Sequence, residues 1–111
     1  TNETLALKII KLIEIKTLET NSKEVNVNIN EKILNFIETH FAEDLNYFKK
    51  KNKIKINFNI DQNLSLQDYT IEFLLKSGKV IEKIEKLENL QKVFENKDIK
   101  IIKSNKAKPK K

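Results

Sequence analysis

The sequence predicts a small α+β domain in which a mixed or antiparallel sheet is packed by helices, in the order α-β-α-β-β-α with an optional final strand. Three segments repeat apolar residues every three or four positions, which is typical of amphipathic helices. Three other segments alternate apolar and polar residues, which is typical of strands with one buried face. The 111 residues fit one domain, which we place at residues 1–102, followed by a disordered basic tail at residues 103–111.

The first half of the chain predicts a helix, a strand and a second helix. Residues 3–19 predict a helix whose apolar face is formed by Leu5, Ala6, Ile9, Ile10, Leu12 and Ile13. Val25, Val27 and Ile29 alternate with asparagines, which predicts a strand with one aliphatic face and one amide face. Residues 31–50 predict one long helix whose apolar positions recur at helical steps, namely Ile33, Ile37, Phe41, Leu45 and Phe48.

The second half predicts two strands and a third helix. Residues 54–60 and 69–73 alternate in character, and the polar link at residues 61–67 predicts a hairpin-like return between them. Residues 79–95 predict a helix with an apolar seam of Val80, Ile84, Leu87 and Phe94, flanked by Ile81, Leu90 and Val93. Residues 99–102 predict a short final strand.

Charge and composition argue against a dedicated nucleic-acid reader. The net charge is +6, but five lysines in the last nine residues leave the remainder with only +1. All 22 basic residues are lysine, and arginine is the residue that recognises phosphates and bases with two parallel hydrogen bonds. Abundant Lys, Asn and Ile also fit the codon bias of an A/T-rich genome. We therefore favour a solvated tail over an RNA-binding arm, and a body whose mixed Lys and Glu serve solubility.

Few residues offer chemistry. His40 is the only histidine, and no cysteine could join it at a metal site. Glu43 and Asp44 are helical neighbours that point about 100° apart, so they form no natural dyad. Asp61 and Asp68 flank a loop, where a Mg²⁺ site is one reading and ordinary turn hydrogen bonding is the favoured one. We therefore expect no catalytic, cofactor-binding or metal-binding residue on this chain.

Other polar and aromatic residues also have ordinary explanations. No base accompanies any of the serines Ser22, Ser65, Ser77 and Ser104. Tyr47 and Tyr69 could stack on nucleic-acid bases, but packing of the ring with the hydroxyl at the surface is favoured. One glycine cannot build a phosphate-binding loop. No apolar run approaches the roughly 18 residues of a membrane-spanning helix, and no secretory signal begins the chain.

The opening segment resembles the ribonuclease E/G family of endoribonucleases. Residues 3–14 read Glu-Thr-Leu-Ala-Leu-Lys-Ile-Ile-Lys-Leu-Ile-Glu, similar to a family helix that begins Glu-Ser-Leu-Ala-Leu just after the paired cysteines of a zinc link. Residues 24–27 are similar to the family's Glu-Val strand entry, and Phe36 and Tyr69 stand at family tyrosine positions. The resemblance covers about residues 2–75, but the family's Asn-Glu-Lys-Arg run is absent here.

The resemblance implies a fragment: the C-terminal small domain of the catalytic half of an enzyme that cleaves single-stranded RNA in RNA maturation and decay. It implies Mg²⁺ in a catalytic domain and Zn²⁺ at the cysteine link, both outside this sequence. It implies a bacterial cytoplasmic setting, in some cases at the inner membrane surface. Its partners would be the rest of the nuclease and other protomers, because the family's small domain helps to join dimers into tetramers. The start at Thr1 rather than Met agrees with a piece of a longer chain.

Two alternatives to this structural and oligomerisation role stay open. The chain could be a free-standing RNA-binding module that uses its asparagine-rich sheet face and weak contacts from the lysine tail. It could instead bind a partner helix through the seam between residues 80 and 94. Under all three readings we expect no ribonuclease activity from this chain alone.

Overall fold

The computed structural model describes residues 1–87, which form three helices and a four-stranded mixed sheet. In chain order the elements are α1 (Asn2–Thr20), β1 (Glu24–Ile29), α2 (Glu31–His40), α3 (Ala42–Asn52), β2 (Lys55–Ile60), β3 (Tyr69–Leu74) and β4 (Val80–Lys86). The predicted α+β class is confirmed. The predicted bounds of the first helix and of the first three strands agree with the structure to within one residue.

The sheet has the order β2-β1-β3-β4, with β1 and β2 parallel and β3 antiparallel to both of its neighbours. The predicted hairpin-like return between β2 and β3 is wrong, because β1 lies between these two strands. Helices α2 and α3 form the long crossover that a parallel pair requires. β1 and β3 are the two central strands, and they bury three and four residues respectively, more than the edge strands β2 and β4.

One hydrophobic core lies between the helices and one face of the sheet. β1 contributes Val25, Val27 and Ile29, all with no solvent exposure. Helix α1 buries Ala6, Ile9, Ile10 and Ile13, which confirms the predicted apolar face. α2 adds Ile33, Leu34 and Ile37, and β3 adds Tyr69, Ile71 and Phe73. Burial on this scale is the main stabilising term in a domain of this size.

The predicted single helix at residues 31–50 is two helices that meet at Phe41. Phe41 has φ −125° and ψ 10°, outside the helical region. Its N–H donates to the carbonyl of Ile37 at 2.8 Å, and its own carbonyl accepts from the N–H of Leu45 at 3.0 Å. No glycine or proline marks the break, and the helical spacing of apolar residues continues through it. The sequence pattern therefore predicts one continuous helix.

The predicted helix at residues 79–95 is wrong over its first part, because residues 80–86 form strand β4. A tight turn returns the chain directly beside β3. The N–H of Leu75 donates to the carbonyl of Lys79 at 2.9 Å, and the N–H of Gly78 donates to the carbonyl of Leu75 at 2.9 Å. Gly78 has φ 94°, a conformation that residues with a Cβ rarely adopt.

A β-bulge explains why this strand has the spacing of a helix. Leu74 pairs with Val80 and Phe73 pairs with Glu82, so Ile81 is an extra residue. The extra residue shifts the alternation by one position and leaves Val80, Ile81 and Ile84 at steps of one and three. Residues 88–95 of the predicted helix, the predicted strand at residues 99–102 and the predicted tail lie outside the described residues.

Candidate interaction surfaces

The candidate acid–base residues His40, Glu43 and Asp44 are exposed on the surface. His40 is exposed at the end of α2, where its ring centroid lies 4.3 Å from that of Phe36. Glu43 and Asp44 are exposed in the first turn of α3, where carboxylates favour the positive end of the helix dipole. Within residues 1–87, no three side chains of His, Cys, Asp or Glu are grouped closely enough to hold a metal ion.

Asp61 and Asp68 hold the loop between β2 and β3. Asp61 Oδ1 accepts a hydrogen bond from the N–H of Asn63 at 2.9 Å, and Asp68 Oδ2 accepts one from the N–H of Ser65 at 3.3 Å. These contacts are the turn chemistry that the sequence favoured over a Mg²⁺ site. Ser22 is buried, and its hydroxyl has no hydrogen-bond partner in the part of the chain that the structure describes.

On the asparagine-rich face of the sheet, three amide side chains form hydrogen bonds with neighbouring side chains. Asn57 Nδ2 donates to Glu24 Oε2 at 2.8 Å and to Asn26 Oδ1 at 2.7 Å. Asn28 Nδ2 donates to Thr70 Oγ1 at 2.9 Å. Glu72 and Glu85 add negative charge beside Lys83 on the same face. A surface with three carboxylates, on which three of the amides already form hydrogen bonds, is poorly suited to nucleic acid, which weakens the RNA-reading alternative for this face.

A groove between α1 and α3 presents apolar side chains to solvent. Leu7, Leu18 and Tyr47 are 43, 62 and 67 % exposed. The groove has a volume of about 660 Å³, and we call it the α1–α3 groove. Its lining comprises Leu7, Ile10, Lys11, Glu14, Leu18, Phe41, Asp44, Tyr47, Phe48, Lys51 and Asn52. An exposed apolar surface of this kind, rimmed by polar residues, is typical of protein–protein contacts.

The charges of the groove balance one another. Lys11 and Lys51 supply two positive charges, and Glu14 and Asp44 supply two negative charges. Lys11 Nζ lies 4.0 Å from Glu14 Oε1 along the helix. A neutral groove on a chain of net charge +6 can meet a second copy of itself without charge repulsion.

Only part of this groove could be predicted from the sequence. Leu7 and Leu18 stand off the buried stripe of α1, so the sequence marks them as apolar residues without a partner. Tyr47 was expected to pack its ring, but it is exposed, with Lys51 Nζ 5.8 Å from the ring centroid. Tyr69 packs its ring in the core, as expected, but it is only 3 % exposed, more deeply buried than a ring with a surface hydroxyl. The groove itself depends on how α3 lies beside α1, which periodicity does not give.

A second surface gathers lysines at one end of the sheet, where β1, β2 and β4 begin and β3 ends. Two neighbouring recesses of about 520 and 340 Å³ share Ile54 and Lys55. Their lysines are Lys23, Lys49, Lys50, Lys53, Lys55 and Lys76, which we call the lysine end. The sequence predicts mixed charge over the body and gives no sign of this cluster, because its members come from separate segments.

Comparison with known proteins gives a family match for most of the chain. The model of the RNase E/G thioredoxin-like domain matches residues 1–74, from α1 to the end of β3. A search of curated proteins gives no match. The sequence contains no cysteine, so dithiol chemistry of the thioredoxin kind has no residues to perform it. In residues 1–87, none of the helices has the length and apolar character needed to cross a membrane.

Proposed function

Because this chain belongs to the RNase E/G thioredoxin-like domain family, we propose that it is the non-catalytic C-terminal small domain of the catalytic half of an RNase E/G-like endoribonuclease. Its role is structural: it joins protomers of the enzyme. The observation that carries the proposal is the α1–α3 groove, an apolar and charge-balanced surface with no partner among the described residues.

The positions along α1 favour a second copy of the chain as the occupant of the groove. Leu7, Lys11, Glu14 and Leu18 follow steps of four, three and four, so they lie along one face of the helix. Residues 7 and 18 are equally distant from the midpoint between Leu12 and Ile13, and so are residues 11 and 14. The face is therefore self-complementary when it is turned end for end.

A two-fold axis through that midpoint pairs unlike charges and like apolar groups. In an antiparallel pair of α1 helices, Leu7 faces Leu18 of the second copy, and Lys11 faces Glu14 of the second copy. Each contact occurs twice, as in any isologous interface. Tyr47, exposed beside this face, widens the apolar contact from α3. Aromatic rings are enriched in interfaces for this reason.

A charge-exchange experiment tests the pairing. Lys11→Glu places two carboxylates opposite one another at both symmetric contacts, and Glu14→Lys places two ammonium groups there. We expect each variant alone to self-associate about tenfold more weakly than the unchanged chain, since two exposed pairs change from attraction to repulsion. Sedimentation velocity over a range of concentrations measures the dissociation constant.

The mixture of the two variants is the decisive arm. A heterodimer of Lys11→Glu with Glu14→Lys restores both attractive contacts, so we expect it to form with nearly the original affinity. Circular dichroism controls for folding of each variant. Self-association that is insensitive to either substitution, or a mixture no tighter than the single variants, would contradict the antiparallel arrangement.

A further inference from the structure

The lysine end has a different chemistry from the α1–α3 groove. We propose that it binds the phosphodiester backbone of a nucleic acid strand without reading its bases. The inference goes beyond the joining of protomers and rests on a different surface. Six ammonium groups surround two recesses that meet at Lys55, so a chain of phosphates can follow the surface from one recess to the next.

Ordinary helix electrostatics accounts for only part of the cluster. Lys49 and Lys50 lie in the last turn of α3, where positive charge favours the negative end of the helix dipole. Lys23 and Lys55 lie at strand starts, and Lys76 lies in the turn between β3 and β4, so the dipole gives no reason for these three. Within residues 1–87, no carboxylate forms an ion pair with any of the six lysines.

The backbone beneath these side chains is fixed by hydrogen bonds. The N–H of Lys23 donates to the carbonyl of Leu74 at 2.8 Å, and the carbonyl of Lys23 accepts from the N–H of Lys55 at 3.0 Å. Three strands are thereby held together at the centre of the cluster. A cluster on a fixed backbone loses less conformational freedom when it binds than the same charges on a flexible tail.

Lys53 occupies a backbone position that lysine rarely takes. It follows α3 with φ 55° and ψ 51°, the left-handed conformation for which helix ends prefer glycine or asparagine. The chain therefore keeps a positive side chain here against the local backbone preference. Such a departure from local preference is found more often where a side chain has a function.

The lining of the recesses favours nucleic acid over a lipid surface. Among residues 1–87, the lining apart from lysine consists of Ile54 and Ile56, each only 9 % exposed. Peripheral membrane binding generally adds exposed apolar anchors to basic charge, and the described residues that line these recesses include no exposed apolar side chain. In the part of the chain that the structure describes, no aromatic ring on which a base could stack lines the recesses. The expected binding is therefore electrostatic and independent of sequence.

The salt dependence of binding tests this proposal on the full chain. The probes are two single-stranded RNA 20-mers of unrelated sequence, followed by fluorescence anisotropy from 50 to 200 mM salt. Lys55→Gln/Lys76→Gln removes two charges from the lysine end, and Lys8→Gln/Lys32→Gln removes two exposed charges from elsewhere. We expect the first variant to lower the slope of log K against log salt by about 1.4, at about 0.7 per phosphate contact, equally for both sequences. The second variant should leave the slope unchanged.

Lys53→Asn separates binding from folding. Asparagine tolerates the left-handed conformation, so the urea midpoint of this variant should not fall. The slope of log K against log salt for RNA binding should fall by about 0.7. Equal slopes for the lysine-end variant and the Lys8/Lys32 control would overturn the proposal. They would indicate instead that the basic tail at residues 103–111 binds the RNA. A second result would also overturn the proposal. In that result, Lys55→Gln/Lys76→Gln abolishes binding to phosphatidylserine vesicles but leaves RNA binding unchanged.

Discussion

Replacing Phe73 by alanine should lower the free energy of unfolding by about 3–5 kcal/mol, the largest effect we expect from any single substitution in the described residues. Phe73 lies at the centre of the core with no solvent exposure, and it is the largest of the fully buried side chains. It pairs with Val25 on one side and with Glu82 on the other, so its loss leaves a cavity beneath three strands. A domain with a typical free energy of unfolding of about 5–15 kcal/mol would lose a large fraction of its stability.

Urea unfolding followed by circular dichroism measures this change. Leu66→Ala is the matched control, because Leu66 is 38 % exposed in the loop before β3 and should lose less than about 0.5 kcal/mol. Both variants are best compared at one low protein concentration, since self-association stabilises the folded state by mass action. A Phe73→Ala loss as small as that of the control would show that the core is not packed as described.

Replacing Leu18 by aspartate should weaken self-association by about 30- to 1000-fold. Leu18 is 62 % exposed, so the isolated domain should remain folded. In the proposed dimer each substitution removes a partly buried leucine contact and desolvates a carboxylate opposite Leu7 of the second copy. The loss is about 1–2 kcal/mol at each of the two symmetric sites, or about 2–4 kcal/mol in all.

Sedimentation velocity of the Leu18→Asp variant measures the dissociation constant, and Leu66→Asp is the control. Leu66 is also an exposed leucine, but it does not line the α1–α3 groove. A charge added at Leu66 should leave the dissociation constant unchanged. If both substitutions weaken association equally, the added negative charge is responsible and not the loss of a groove contact.

Local patterns gave most of the fold because side-chain periodicity is a local property. The alternation of Val25, Val27 and Ile29 and the stripe through Ile9 and Ile13 each specify one buried face whatever surrounds them. The strand at residues 80–86 was missed because a bulge at Ile81 changes its period. The strand order was missed because the insertion of β1 between β2 and β3 is decided by burial across the whole sheet.

Both candidate interaction surfaces are assembled from segments that are distant in sequence. Leu18 and Tyr47 are both visible as apolar residues, but only the position of α3 beside α1 makes them one surface. Lys23, Lys55 and Lys76 are single charges in three separate segments, and the sheet order brings them to one end. A sum of charges along the chain therefore gave a nearly neutral body, although its charge is concentrated in space.

Cysteine cross-linking tests most directly whether α1 pairs with α1 of a second copy in the antiparallel direction. The chain has no native cysteine, so single substitutions introduce the only thiols. A mixture of Leu7→Cys and Leu18→Cys chains, oxidised near the dissociation constant, should yield mainly disulfides between position 7 and position 18, since these residues face one another in the pair. Predominance of links between two copies of position 7 or two copies of position 18, or the absence of any cross-linked dimer, would contradict the arrangement.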